Sequence, residues 1–240
     1  MTTRRRMMMA GNVSHVNADG MITDSWDTFI NNVKKGKGPQ YYNVGNYIPL
    51  DLGSHGVLNM EIIIFHPPWL LADRSGTPNV ALFSKELMND EVSATKGHFS
   101  EVAAYMKSVE SFIPSNILQH IPQVLFPYER YGANGCLAFG TSWCKLWILN
   151  SEMLNVYGQY NYSNNGMSGD TLLSFLNWSA SQRIKYRADG QGPKWWFVYR
   201  ASDQNRMPGY TTSIDTSGNF NYSDTSARPS SAYCPLGFCL

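Results

Sequence analysis

The residues that could carry chemistry are few and scattered. Histidines stand at His15, His55, His66, His98 and His120. No His-Glu-x-x-His pattern and no other paired-histidine spacing occurs, so nothing puts two imidazoles on one helix face toward a metal. The cysteines are Cys136, Cys144, Cys234 and Cys239. None forms a Cys-x-x-Cys pair, and their spacings match no zinc site. They suit buried free thiols. A Cys136–Cys144 or a Cys234–Cys239 bridge is the alternative, and spacing does not decide between them. Glu152 and Asp170 could act as paired carboxylates, but no flanking motif marks them, and Glu152 reads better as a turn residue. There is no Gly-x-Ser-x-Gly elbow and no phosphate-binding glycine loop. The stretches "SNNGMSGD" and "SGNFNYSDT" are rich in Asn and Asp, yet neither has the spacing of an EF-hand loop. The expectation is a chain that is not an enzyme, with no catalytic residues, no metal and no cofactor.

Composition turns attention from catalysis to binding. The chain has 240 residues, of which 43% are hydrophobic, enough for one large domain or a domain with an arm. Charged residues are 15% and the net charge is +1, which argues against a nucleic-acid partner. The one dense basic run, Arg4-Arg5-Arg6, reads as a solvated or docking arm. Aromatics reach 13%, with 14 Tyr and 7 Trp, side chains that give large contact area at low entropic cost. The start "MTTRRRMMMAG" lacks the apolar stretch of a signal peptide. No apolar run approaches the roughly 18 residues of a membrane span. The tripeptides "NYS" at 161 and 221 and "NWS" at 177 match glycosylation acceptors, and read as chance products of an Asn- and Ser-rich surface.

Periodicity supplies the elements that must position any site. Residues 1–22 lack it and read as an N-terminal arm for anchoring or oligomerisation, ahead of a domain over 23–240. Trp26, Phe29, Ile30 and Val33 make the stripe of an amphipathic helix, capped by Asp24 or Ser25 and stopped at Gly36 or Gly38. "YYNVGNYIPLDL" and "GVLNMEIIIFH" read as strands joined at "GSHG", and "NVALFS" as a third. Phe99, Val102, Met106 and Val109 stripe a second helix, and "IPSNILQHIP" is a short one closed by Pro122. "CKLWILN" is a strand, and "SEMLNVYG" one or two helical turns. The last quarter holds short strands with turns at "MPGY" and "TSGN". No internal repeat and no alternating βαβ rhythm is present. That mixture predicts an α+β fold with mainly antiparallel sheet and two flanking amphipathic helices.

The last quarter is also the most informative stretch. A run of Ser, Thr, Asn, Asp and Tyr is punctuated by Trp195, Trp196, Phe197, Val198, Ile214, Phe220 and Phe238. Disordered tails lack such anchors. The expected arrangement is a set of short strands buried on one side, whose turns and outward faces form a display segment over 197–233. The candidate ligand-binding residues are Tyr199, Arg200, Asp203, Asn205, Arg206, Tyr210, Asn219, Asn221, Tyr222 and Asp224. Trp195 and Trp196 are read as scaffold, or as one scaffold residue and one site floor.

The pieces "LWILNSEMLNVYGQYNY", "WWFVYRASDQN" and "SIDTSGNFNYSDTSARPSSAYCPLGFCL" resemble a family of phage and prophage proteins with a C-type-lectin-like C-terminal domain. The matching motifs are Leu149 to Gly158, Trp195-Trp196, Ile214 to Gly218 and Pro235 to Phe238. The resemblance runs over about residues 24–240, with weaker register between 66 and 110. The chain departs from the family where Arg-Ser-Pro follows the tryptophan pair, having Val198-Tyr199-Arg200 in that region, and where a second Glu is replaced by Asn155. Relatives include the variable proteins of diversity-generating retroelements, in which mutation at adenines rewrites codons of the final segment on a fixed lectin-like scaffold.

The resemblance implies a C-type-lectin fold and a virion-surface protein made in the host cytoplasm. Its function would be receptor binding in host adhesion, through a bacterial surface protein or glycan. It also implies other virion proteins as partners and a homo-oligomer, with a trimer as one form. The alternative function is a structural virion component, a head-decoration, neck or tail-fibre protein without a receptor role. The formylglycine-generating and sulfoxide-synthase enzymes share a lectin-like fold. They need a metal-binding cysteine pair or histidine cluster, and neither pattern is in this chain.

Overall fold

The computed structural model describes residues 14–67, 71, 75–94, 100–131, 137–149, 178–196, 210–224 and 230–240, with backbone alone over 125–131, 137–143, 210–212 and 220–224 and at residues 94, 100, 101 and 230. Elements follow in chain order. Helix α1 spans Trp26–Lys34 and α2 spans Gly38–Tyr41. Strands β1 (Tyr47–Asp51), β2 (Val57–Phe65), β3 (Val80–Ser84) and β4 (Glu91–Ala94) come next. Then come α3 (Ser100–Val109), α4 (Ser115–Leu118), β5 (Val124–Tyr131), β6 (Leu137–Cys144) and β7 (Leu146–Trp147). Helix α5 (Ala180–Arg183), β8 (Trp195–Trp196), β9 (Tyr210–Ile214), β10 (Phe220–Asp224), β11 (Ser230–Tyr233) and β12 (Gly237–Cys239) close the order.

The fold is α+β, and its sheets are mostly antiparallel. One five-stranded sheet runs β1-β2-β3-β12-β7, and a second runs β10-β9-β8-β11-β4. β5 and β6 pair as a separate hairpin. Among these pairings β8 with β11 is parallel. The hairpin and β4 carry no clear period in the sequence and were not expected from it.

Helix α1 forms where its stripe and cap predict. The Ser25 hydroxyl accepts from the Thr28 N–H at 3.3 Å, filling one of the donor groups a helix start leaves open. Phe29, Ile30 and Val33 are buried. Trp26 lies over the same sheet and donates from its indole N–H to the Pro49 carbonyl at 2.8 Å. Helix α3 buries Val102, Met106 and Val109. Both helices contribute to one core with Ile48, Leu58, Met60, Ile62, Val80, Leu82, Phe238 and Leu240. The end of the sequence-assigned arm packs here too. Val16 bridges Ile22, Met21 bridges Tyr47, and Ile22 is buried.

The first sheet is buried on both faces at β3, β12 and β7, while β1 and the start of β2 expose one side. Alternate residues Ala81, Phe83, Cys239, Trp147 and Leu149 enter a second core with Trp195 and Ile214. That is why β3 reads as an unbroken apolar run, "VALF", and shows no exposed position. The last strand, β12, sits between β3 and β7. Leu240 completes its pairing: its N–H donates to the Val80 carbonyl at 2.9 Å, and its carbonyl accepts from Asn79 and Val80 at 2.7 and 3.1 Å. Cys234 and Cys239 are buried free thiols, not bridged to one another. Burial raises both above the usual thiol range.

Gly237 lies flat against an indole. A Cβ there would stand 2.2 Å from the ring carbons of Trp147, itself fully buried. Gly237→Ala must therefore push apart β12 and β7. The expected cost is about 1–3 kcal/mol, read as a lower urea midpoint at unchanged slope. An unchanged midpoint would contradict this packing.

Candidate functional site

The described part of the display segment is a hairpin and a return strand. Tyr199, Arg200, Asp203, Asn205 and Arg206 lie outside the described residues. The other five candidates share the β9–β10 hairpin. Tyr210 opens β9, Asn219 lies in the turn, and Asn221, Tyr222 and Asp224 are on β10. The register sets Tyr210 opposite Asp224, Thr212 opposite Tyr222 and Ser213 opposite Asn221. Tyr210, Tyr222 and Asp224 thus occupy neighbouring register positions, whereas Asn219 caps the far end.

The turn is built by Asp215. One carboxylate oxygen accepts from the Ser217 N–H at 2.8 Å and the Asn219 N–H at 2.9 Å. Those bonds, the one from Asn219 first, hold the Asp215 carboxyl below the usual range. Behind the turn sits α5. Arg183 donates from Nε to the Gly218 carbonyl at 2.8 Å and from Nη1 to the Trp178 carbonyl at 2.5 Å. Gly218 has φ +80°, and a Cβ there would meet the Ala180 carbonyl oxygen at 1.9 Å. The tip is docked tightly, and Asn219 remains exposed.

The root of the segment is held by the tryptophan pair. Trp195 pairs with Ile214 on one side and Tyr233 on the other. Both indoles are fully buried and both N–H groups are used: Trp195 donates to the Arg183 carbonyl and Trp196 to the Val92 carbonyl, each at 2.9 Å. Trp195 faces the second core and Trp196 the first. Neither forms a site floor; both are scaffold. Tyr233 accepts from Arg187 Nη1 at 2.9 Å, and the guanidinium carbon lies 4.9 Å from the ring centre.

Two titratable clusters were invisible to spacing. His55 Nδ1 contacts the Asp90 carboxylate, which also accepts from the Tyr105 hydroxyl at 3.0 Å. His55 is buried, its Nε2 has no hydrogen-bond partner, and its ring stands edge-on to Phe112 at 4.2 Å. Burial, then Asp90, raises the Tyr105 phenol. This cluster joins the β1–β2 turn to α3 and the approach to β4. The second cluster centres on Lys185. Its ammonium donates to the carbonyls of Ser84 and, at 3.1 Å, Lys85, and lies 4.6 Å from the Phe83 ring centre. Glu61 is raised by burial, against the opposing fields of Lys85 and Lys185. The partners in both clusters are many residues apart in the chain, so no local motif signals them. No group of three or more metal-ligating side chains occurs among the described residues, and none of their helices is long and apolar enough to cross a membrane.

Comparison of the chain with protein-family models, with curated proteins and with solved structures finds no match.

Lys185 gives the site a pH signature. Burial outweighs the favourable fields of Glu61 and Glu86 and brings its ammonium from 10.5 down to about 7. Between those values the unfolded chain holds a proton that the folded chain has released. Stability contributed by this group therefore rises with pH across that window, by up to about 1.4 kcal/mol per unit, and is lowest below it. Urea unfolding at neutral pH and near the top of the window should show a larger gain for wild type than for Lys185→Met. Equal gains in the two proteins would show that Lys185 stays charged throughout.

Proposed function

We propose that this chain is a ligand-binding protein displayed on a bacteriophage particle, in which a C-type-lectin-like scaffold presents residues 197–233 to a protein or glycan on the bacterial host. The observation that carries the reading is the pairing of Trp195 with Tyr233. It brings the two ends of the display segment side by side on the scaffold, and Ile214 anchors the β9–β10 hairpin to the second core between them. In this reading the remaining polar positions carry a contact surface. Support comes also from the Tyr- and Asn-rich hairpin, whose side-chain types give adaptable hydrogen bonding and large aromatic area.

Affinity in this reading comes from Tyr199, Tyr210 and Tyr222 as aromatic contacts. Arg200, Asp203, Asn205, Arg206, Asn219, Asn221 and Asp224 supply the polar ones. Trp195 and Trp196 hold the segment without touching ligand. Binding of the purified chain to envelope fractions from a panel of bacteria tests it. Replacing the ten contact residues with Ala should weaken retention on the responsive envelope by about a thousandfold, the scale of two hot-spot side chains. Equal retention of wild type and variant, both folded by thermal unfolding, would sink the proposal.

A further inference from the structure

We infer that the C-terminal end of α1, with the chain after α4 and Lys145, forms a basic face that docks an acidic segment of a partner protein. This inference uses none of the display segment and stands apart from the proposed receptor role.

Three stretches meet at this face. Helix α1 packs on α4, and Asn116 donates to Asp27 across the contact at 3.1 Å. At the other end of α1, Lys34 Nζ lies 2.8 Å from His120 Nδ1. Lys145 reaches the same place, donating to the Leu118 carbonyl at 3.3 Å. Lys35 and Lys37 are exposed beside Lys34. The charges therefore gather from residues 34 to 145, although the sequence shows only a short lysine run.

Among the described residues no carboxylate pairs with a lysine of this face. No Asp or Glu occurs between Asp27 and Asp51, between Glu110 and Glu129, or between Glu129 and Glu152. Among the described residues, Lys107 pairs with Glu110 at 2.6 Å and Arg187 with Asp189 at 2.5 Å. Lys34, Lys35, Lys37 and Lys145 have no such carboxylate among the described residues. Asp27 is seven residues before Lys34 on the helix, a rise of about 10 Å, which is about one screening length in physiological salt. A chain of net charge +1 thus concentrates positive charge in one place. Two basic groups, Lys34 and His120, even stand within hydrogen-bond distance of each other.

The chemistry selects the partner. The lysines are compact point charges, and among the described residues no arginine adds the planar fork that suits phosphate. Separate carboxylates on a polypeptide can each meet one of these ammonium groups. That fits an acidic protein segment better than a nucleic acid.

Fluorescence anisotropy with a labelled poly-glutamate peptide of about ten residues tests the face, with a short DNA duplex in parallel. The full chain should bind the peptide, and more weakly as salt rises from about 50 to about 200 mM. Replacing Lys34, Lys35 and Lys37 together with Ser should weaken peptide binding about tenfold or more. Lys107→Ser, which removes an exposed lysine elsewhere, should leave it unchanged. Because all these lysines are exposed, both variants should stay folded, each losing no more than about 1 kcal/mol of stability. Absence of peptide binding, indifference to the triple substitution, or tighter binding of the duplex than of the peptide would each overturn the inference.

Discussion

Strands buried on both faces, β3 and β12 at the middle of the first sheet, impose the strictest requirement in this molecule. Every residue of β3 and β12 must be apolar or internally satisfied, because no water reaches either side. The chain meets this with "VALFS" and "GFCL", whose alternate residues enter the two cores. The single hydroxyl in that set, Ser84, is fully buried. It donates to the Glu86 carbonyl at 2.7 Å and accepts from the Leu236 N–H at 2.9 Å. Leaving either bond unmade would cost about 1–3 kcal/mol. The residue therefore ties the exit of β3 to the entry of β12 instead of weakening both. Since β12 comes from the last residues and β3 from position 80 onward, the layer forms only after nearly the whole chain is present.

The same layer explains the tandem tryptophans. Adjacent residues of a strand face opposite ways, so Trp195 and Trp196 serve different cores. One strand of two residues thereby locks the second sheet to the first. Neighbouring contacts add to this lock. Leu87 takes the Tyr186 carbonyl at 2.9 Å, and Lys185 caps the carbonyls at the end of β3. The stretch from Trp178 to Trp196 is thus fastened by backbone and indole groups, largely independent of what the polar segment after it contains.

Local pattern carried the sequence reading as far as local pattern reaches. Helix α1 was legible because cap, stripe and stop all lie within a dozen residues, and β3 because five consecutive positions share one environment. The place of β12 was not. "LGFCL" says only that its residues are buried, and its partners, β3 and β7, stand about 155 and about 90 positions earlier in the chain. β4 has one buried apolar residue in its described part, Val92, and pairs with β11 across a similar span. The β5–β6 hairpin contains Pro127, Glu129 and Arg130, which blur any strand period. The scaffold role of the tryptophans could be read from their type and adjacency. The association of His55 with Asp90, and of Lys185 with Ser84 and Glu61, depends on tertiary packing. In the sequence these remain isolated polar residues.

The β9–β10 hairpin follows from these constraints. Two strands alone are marginal in water. This pair is held at its turn end, by Trp195 beside buried Ile214 and by Arg183 and the close fit of Gly218 to Ala180. The strands running from that end carry few apolar residues of their own. Polar residues at positions 211, 212, 221 and 223 are then compatible with folding and free to be chosen for another purpose. A surface of this kind can change its contacts while the anchors stay constant. In the proposed binding role, that separation of anchor from surface would rest on a few groups: two indoles, one guanidinium and one glycine.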